Sequence, residues 1–322
     1  MLQKGKNNEC AALGWLFFIS MLVHVGAELA LGLLSTKGMV FPVEVTLTVS
    51  ELTILVPSFV YVLIRNLNFK EDLGFRPIKA GSVFMCILLS VLVTPIASFV
   101  NVLSQLFVSN TMVQNSDTLM SGSSLAILFL GSLYGPFCEE FMFRAIFNRR
   151  YEIYTGPVRA GLISALFFAL AHMNLNQAAY AFVLGFIFSV INKAAGSVYP
   201  SIIIHVCING ANIALLIMMT AISKAAGEGI DLSAAAEEAR GSDLMYVLIG
   251  VTLVAAFVCA LISIPCVMWL SKHEGRQAEL IDMFTKGHES KRWLTFSAVL
   301  GIVFVLFIMV GLEPAMSLLK EM

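Results

Sequence analysis

Charged residues are scarce in this chain: Asp, Glu, Lys and Arg make up 13% of it, against about 25% in ordinary soluble domains. Hydrophobic residues make up 58%, and the mean hydropathy is +0.87. This composition excludes an ordinary soluble domain and indicates a polytopic membrane protein. The formal net charge of −1 disfavours nucleic acid as a partner.

Several signatures of familiar sites are also missing. The six cysteines are scattered, without a CxxC pair or zinc-ribbon spacing. The HExxH zinc signature and the GxSxG elbow are absent, and no aspartate lies in a long apolar run, which disfavours serine and aspartyl intramembrane proteases. Internal repeats, low-complexity tracts and soluble domains are absent too, so we expect residues 1–322 to form a single transmembrane domain.

Nine apolar runs approach or exceed the ~20 residues that a membrane-spanning helix requires. We therefore predict an all-α, polytopic transmembrane helical bundle of about nine spans. Eight is the alternative, since the fifth and sixth runs are short and joined by a tight turn. The runs cover residues 11–34, 44–66, 81–107, 124–148, 158–173, 177–193, 199–222, 244–270 and 293–313.

Basic residues are unevenly distributed between the two ends of these spans. If the N-terminus is cytoplasmic, fifteen lysines and arginines fall on the inner side and four on the outer side. By the positive-inside rule, this bias predicts a multi-pass protein of the cell membrane with its N-terminus in the cytoplasm and its C-terminus outside. The outer set is Lys37, Lys224, Arg240 and Lys320.

Three charges, Glu139, Glu140 and Arg144, interrupt the fourth apolar run. An ionisable side chain at mid-bilayer costs at least ~2.5–3.5 kcal/mol, so it normally faces a partner or a cavity and marks a working site. Glu140 and Arg144 are four residues apart and should pair. Glu139 points about 100° away from Glu140 and should stay free. The alternative is a structural lock in which both carboxylates hold the arginine.

Histidines lie in two further spans. His172 follows Phe168 by one turn, and His205 shares a helix face with Asn209. A carboxylate beside an imidazole can take a proton from water, and a second imidazole with a carboxamide can stabilise an oxyanion. The set predicts water activation and carbonyl hydrolysis in a membrane cavity. Glu139, His172 and His205 are also acceptable zinc ligands, so zinc and metal-free mechanisms both stay open.

The depths in the membrane that the sequence predicts for these residues are not consistent with one another. Glu139 lies about ten residues before Arg149, roughly 15 Å from the expected inner surface at 1.5 Å per residue. His205 is about six residues into its span from the same side, but His172 lies near the far end of the fifth run. Two of the three thus favour a cavity that opens to the cytoplasm, and the third conflicts with it.

Other polar residues in the first two spans have simpler interpretations. His24 and Glu28 are four residues apart on the first span, and we expect them to satisfy each other. In the second span, we expect Glu44 to be interfacial and Glu51 to serve helix packing.

Three motifs on separate predicted helices resemble those of the CPBP family. This family contains the CAAX-type prenyl-protein endopeptidases and the bacteriocin-processing or bacteriocin-immunity membrane proteins, and is also called the Abi family. The resemblance covers about residues 124–222, which we expect to form the catalytic core. The motifs are Glu139-Glu140-xxx-Arg144, Phe168-xxx-His172 and His205-xxx-Asn209.

The resemblance implies a membrane endopeptidase that cuts a membrane-associated peptide or protein in the lipid bilayer. Glu139 would be the general base, His172 would help to hold the water, and His205 and Asn209 would form the oxyanion site. Two alternatives remain: a catalytically silent scaffold or bacteriocin-immunity protein of the same fold, and a small transporter, although inverted repeats are not evident. The sequence leaves the substrate, its prenylation, metal dependence and oligomeric state open.

Overall fold

A computed structural model describes residues 2–225, 232–240, 242–287 and 294–312, most of which are helical and none of which form a strand. The predicted all-α class is confirmed. The predicted position of the C-terminus falls outside the described residues. The helices are α1 Leu2–Thr36, α2 Val43–Arg65, α3 Ala80–Ser104, α4 Thr111–Gln114, α5 Ser116–Leu119, α6 Ser124–Thr155, α7 Pro157–Ala171, α8 Leu175–Ala195, α9 Tyr199–Ala225, α10 Leu232–Ala239, α11 Asp243–His273, α12 Gln277–Thr285 and α13 Phe296–Phe307, which a π-helical turn continues over Ile308–Leu312.

Seven of these helices are long and apolar enough to cross a membrane, counting only described residues. Each of the nine predicted runs contains a helix in the described part of the chain, but two of these, α7 and α13, are shorter apolar helices. The count of nine is therefore reached only if both short helices are included. The chain is a multi-pass membrane protein.

Helix α6 is not uniform, because two stretches of it, Leu130–Tyr134 and Phe141–Asn148, have wider π-helical turns. Pro136 follows the first stretch, and a proline inside a helix lacks an N–H and clashes with the carbonyl four residues earlier. Wider turns are one way in which a helix accommodates such a break, and they occur often at functional sites.

Aromatic packing holds α7 and α1 against α6. The rings of Phe147 and Phe167 lie 5.1 Å apart, and Phe167 stacks on Phe17 of α1 at 4.1 Å. One helical turn further, Phe143 lies 5.4 Å from Phe168. These rings are almost completely buried, and in a membrane it is such close packing, rather than transfer out of water, that holds helices together. They set the register between α6 and α7.

The conflict over the height of His172 disappears because α6 is longer than predicted. It continues past Arg149 to Thr155, sixteen residues beyond Glu139, and the chain then turns at Gly156. From there α7 rises fifteen residues to His172. Glu139 and His172 therefore reach similar heights, since the short fifth helix starts lower than the sequence indicated.

His24 does not pair with Glu28 as expected. Its Nδ1 lies 2.9 Å from Oγ1 of Thr53 on α2, so it links the first two spans. Glu44 lies in the first turn of α2, where its carboxylate accepts the Ser123 N–H at 2.7 Å. These contacts join α2 to α1 and to the start of α6.

Candidate active site

Glu140 and Arg144 form a completely buried ion pair within α6, with Arg144 Nε 3.3 Å from Glu140 Oε2. The guanidinium carbon lies 4.0 Å from the ring centre of Phe168 and 5.3 Å from that of Phe188. Neither terminal nitrogen of Arg144 has a hydrogen-bond partner among the described residues. One carboxylate and two aromatic faces therefore hold this cation, and removal of the carboxylate would leave a buried charge unpaired.

Gly185 of α8 makes the space that this arginine occupies. A Cβ atom at Gly185 would lie 2.9 Å from Cα of Ala165 on α7 and 3.2 Å from Nη2 of Arg144. Because any side chain would push α8 away from both, the glycine allows the close approach of three helices around the ion pair.

Glu139 points away from the arginine and faces two imidazoles. Its Oε1 lies 4.0 Å from Nε2 of His172, and its Oε2 lies 3.5 Å from Nε2 of His205. The Glu139 side chain is 17% exposed, whereas that of Glu140 is completely buried. A partly accessible carboxylate between two imidazoles is suited to holding a water molecule.

The other ring nitrogens of the two histidines are fixed by acceptors. Nδ1 of His172 lies 2.8 Å from the Phe168 carbonyl oxygen, and Nδ1 of His205 lies 3.0 Å from Oε1 of Glu140. Since a carbonyl oxygen only accepts, Nδ1 of His172 carries a proton, so that in the neutral form of the ring the lone pair of Nε2 lies on the side of Glu139. The imidazole of His205 lies between the two carboxylates.

Asn209 lies one turn beyond His205 and joins α9 to α6. Its Nδ2 donates to the Gly131 carbonyl oxygen at 3.2 Å, within the first π-helical stretch. A carboxamide has two N–H donors, so the second remains for another acceptor. The structure thus brings Glu139, Glu140, His172 and His205 together and places Asn209 next to them.

A comparison with protein families identifies this segment. Residues 121–211 match the Rce1-like family, type II CAAX prenyl endopeptidases. The resemblance to the CPBP family is thereby confirmed over this part of the chain, which contains all three motifs. The match spans less than half of the chain. No curated protein and no solved structure matches significantly.

Glu51 of α2 lies outside the Rce1-like segment and was missed as a site residue. Its Oε1 lies 3.1 Å from where a Cβ atom on Gly135 would be, one turn before Glu139. Its Oε2 is buried without a hydrogen-bond partner among the described residues, and the carboxylate is close enough to act electrostatically on Glu139. A buried polar group without a partner is costly, and such groups cluster at functional sites. The signal in the sequence was an acid in a span without a basic residue one turn away.

The three candidate metal ligands of the Rce1-like segment, Glu139, His172 and His205, do not fit a metal centre as arranged. Within the described ranges, no group of three His, Cys, Asp or Glu side chains is placed to hold a metal ion.

Proposed function

We propose that this chain is a CAAX-type intramembrane endopeptidase that hydrolyses a peptide bond in a membrane-associated peptide or protein. The observation that carries the proposal is the position of the Glu139 carboxylate, 4.0 Å from one imidazole nitrogen and 3.5 Å from another. The three side chains come from α6, α7 and α9, and all lie in the Rce1-like segment. Their chemistry is water activation, which amide hydrolysis requires.

In the first step, a water molecule lies between Glu139 and His172. It donates one hydrogen to the carboxylate and the other to the Nε2 lone pair of His172, whose tautomer the Phe168 carbonyl fixes. This arrangement directs an oxygen lone pair towards the substrate carbonyl carbon. As the C–O bond forms, the proton on the Glu139 side moves to the carboxylate.

In the second step, the negative charge that develops on the carbonyl oxygen is stabilised by Asn209 and by Nε2–H of His205, which requires a proton on both ring nitrogens because Nδ1–H donates to Glu140. One such donor commonly lowers the activation barrier by ~2.7–4 kcal/mol. The proton that Glu139 took from water then passes to the leaving nitrogen, the C–N bond breaks, and the Glu139 carboxylate is restored. The net reaction adds one water molecule and gives a carboxyl end and an amine.

Glu140 has a different role in this proposal. It accepts from Nδ1 of His205 at 3.0 Å and pairs with Arg144 at 3.3 Å, so it orients the imidazole and neutralises the buried arginine. Its complete burial keeps it from contact with a substrate. We therefore regard Glu140 and Arg144 as positioning residues and Glu139 as the base.

The substrate side of the proposal rests on the family match and on charge bias. The matched family acts on prenylated CAAX ends, and the excess of basic residues predicts that the site opens towards the cytoplasm. We infer that the cut falls near the lipid-anchored or membrane-embedded end of a substrate, on the cytoplasmic side.

The test uses purified full-length protein in lipid nanodiscs with a prenylated CAAX peptide, and identifies the products by mass spectrometry. We expect the wild type to release the peptide that follows the modified cysteine, and Glu139→Gln to release it about 10²–10⁴-fold more slowly. The same peptide without its prenyl group tests whether the lipid is required.

Membrane peptides from cells that carry either protein provide the second readout. A product found only with the wild type would support an endopeptidase even if the CAAX peptide is not cut, and would narrow the substrate class. If the wild type gives no product in either experiment, the proposal is wrong, and the silent scaffold or immunity protein becomes the better interpretation. Equal cleavage by the wild type and Glu139→Gln would instead show that Glu139 is not the base.

A further inference from the structure

A second polar cavity, the arginine cavity, lies at the Arg149 end of α6. Its volume is about 420 Å³, in the range of small-molecule sites. Basic side chains reach it from four separate parts of the chain, so it is built by tertiary packing. These basic residues are Arg76, Arg144, Arg149, Arg150, Lys193 and Arg276.

The carboxylates of the arginine cavity are already in ion pairs, and one arginine is left over. Arg149 has no carboxylate within 4.0 Å among the described residues; it donates to the backbone oxygens of Asp72 at 2.9 Å and Glu71 at 3.2 Å. Its charge is therefore not neutralised. The ion pairs are Arg76–Glu71 at 2.6 Å, Lys193–Glu152 at 2.5 Å, Arg276–Glu279 at 3.0 Å and Arg150–Asp72 at 3.4 Å.

Two glycines with positive φ leave room for the arginines. A Cβ atom at Gly74, where φ is +79°, would lie 2.6 Å from Nη1 of Arg149. A Cβ atom at Gly196, where φ is +67°, would lie 2.8 Å from Nε of Arg276. The turns at these glycines therefore bring the backbone against the two guanidinium groups and hold them at the cavity wall.

Arg149 is close enough to Arg76 and to Arg276 for their positive charges to repel it. Arg144 also lines the cavity, completely buried, and its two terminal nitrogens have no hydrogen-bond partner among the described residues. Guanidinium groups that converge with free donors form strong, paired hydrogen bonds with phosphate and carboxylate oxygens. An anion in the cavity would relieve this repulsion and accept from the guanidinium groups of Arg149 and Arg276, whereas Arg144 is completely buried and already paired with Glu140.

We propose that the arginine cavity binds a phosphate group, carried by the headgroup of an anionic phospholipid or free in solution. A neighbouring apolar groove of about 650 Å³ favours the phospholipid as the source. Helix α12 lies between the two: Arg276, just before it, and Glu279 line the cavity, whereas Ile281 and Phe284 line the groove. The groove would take the acyl chains of a lipid whose headgroup lies in the cavity.

The experiment titrates purified full-length protein in neutral detergent with short-chain phosphatidylglycerol, short-chain phosphatidylcholine and inorganic phosphate, and measures affinity by calorimetry. Arg149→Gln and Arg276→Gln remove cavity donors. Arg276 is 36% exposed, so its variant should fold even if Arg149→Gln does not. Lys286→Gln is the control, because it removes a positive charge from the segment after α12 that is 67% exposed and does not line the cavity.

We expect phosphatidylglycerol to bind more tightly than phosphatidylcholine. Loss of one charged hydrogen-bond donor should weaken the affinity for phosphatidylglycerol about tenfold in each arginine variant, whereas Lys286→Gln should leave it unchanged. Inorganic phosphate that binds as tightly as the lipid would identify free phosphate as the source. No anion binding by the wild type, equal affinity in Arg276→Gln, or an equal loss in Lys286→Gln would overturn the proposal. None of these results depends on peptide hydrolysis.

Discussion

Helices α6 and α11 are both long enough to span a membrane, but they are suited to opposite surroundings. The most apolar 18 residues of α6 have a mean hydropathy of 1.3, and 39% of them are buried in the protein. The most apolar 18 residues of α11 have a mean hydropathy of 2.8, and only 6% of them are buried. Helix α6 carries Glu139, Glu140 and Arg144, which it can do because other helices surround it. The less hydrophobic span is thus the interior one, and the more hydrophobic span faces outwards.

Within α6, the two adjacent carboxylates also differ in their surroundings. Glu140 is completely buried and paired with Arg144, and Glu139 is partly exposed and faces imidazoles. A substitution of one should therefore act on stability and a substitution of the other on chemistry. The predictions below test both contrasts.

The largest expected effect is that of Glu139→Gln on the rate of hydrolysis. Glutamine keeps the shape of the side chain but cannot take a proton, so we expect the rate to fall about 10²–10⁴-fold. Because Glu139 has no buried partner charge, the unfolding temperature should stay within a few degrees of wild type. Peptide cleavage and thermal unfolding are measured on the same preparation. Cleavage at the wild-type rate would show that Glu139 is not the base.

The second largest expected effect is that of Glu140→Gln on the stability of the fold. This change leaves Arg144 as an uncompensated buried charge, for which the cost is about 3–5 kcal/mol. We expect a large drop in folded yield by size-exclusion chromatography. The control is Glu140→Gln combined with Arg144→Gln, which removes both charges and should recover part of the yield. A Glu140→Gln protein as stable as wild type would contradict the division between the two acids.

Helical periodicity could predict much of this arrangement. The four-residue spacing placed Glu140 next to Arg144, and the apolar runs indicated the helices. The height of His172 could not be predicted, since it depends on where α6 ends, and the polar side chains of its last two turns read as a loop. Glu51 was missed because its approach to Gly135 depends on packing between spans, which the period of a single helix does not contain.

A smaller effect is expected for Glu51→Gln. The Glu51 carboxylate lies beside the turn that carries Glu139, so its replacement should change the hydrolysis rate about tenfold, equivalent to ~1.4 kcal/mol. The unfolding temperature should not fall, since the lost carboxylate oxygen has no hydrogen-bond partner in the described structure. Glu44→Gln, seven residues earlier on α2, is the matched control; its amide oxygen can still accept the Ser123 N–H, so it should change neither quantity. Equal rates for Glu51→Gln and wild type would return Glu51 to a packing role.

The smallest expected effects are on stability, and they compare a buried side chain of α6 with an outward-facing side chain of α11. Ile146 of α6 is completely buried and Val254 of α11 is 65% exposed. Removal of one methyl group by Ile146→Val should cost about 0.5–1.5 kcal/mol, because the neighbouring side chains cannot fill the space. Val254→Ala removes two methyl groups, yet its cost should stay within about 0.5 kcal/mol if the side chain faces only lipid. Thermal unfolding of both variants in the same nanodiscs measures the difference. A cost for Val254→Ala as large as that for Ile146→Val would show that α11 is covered in the membrane, and the covering surface would then be another protein, either a second copy or a partner.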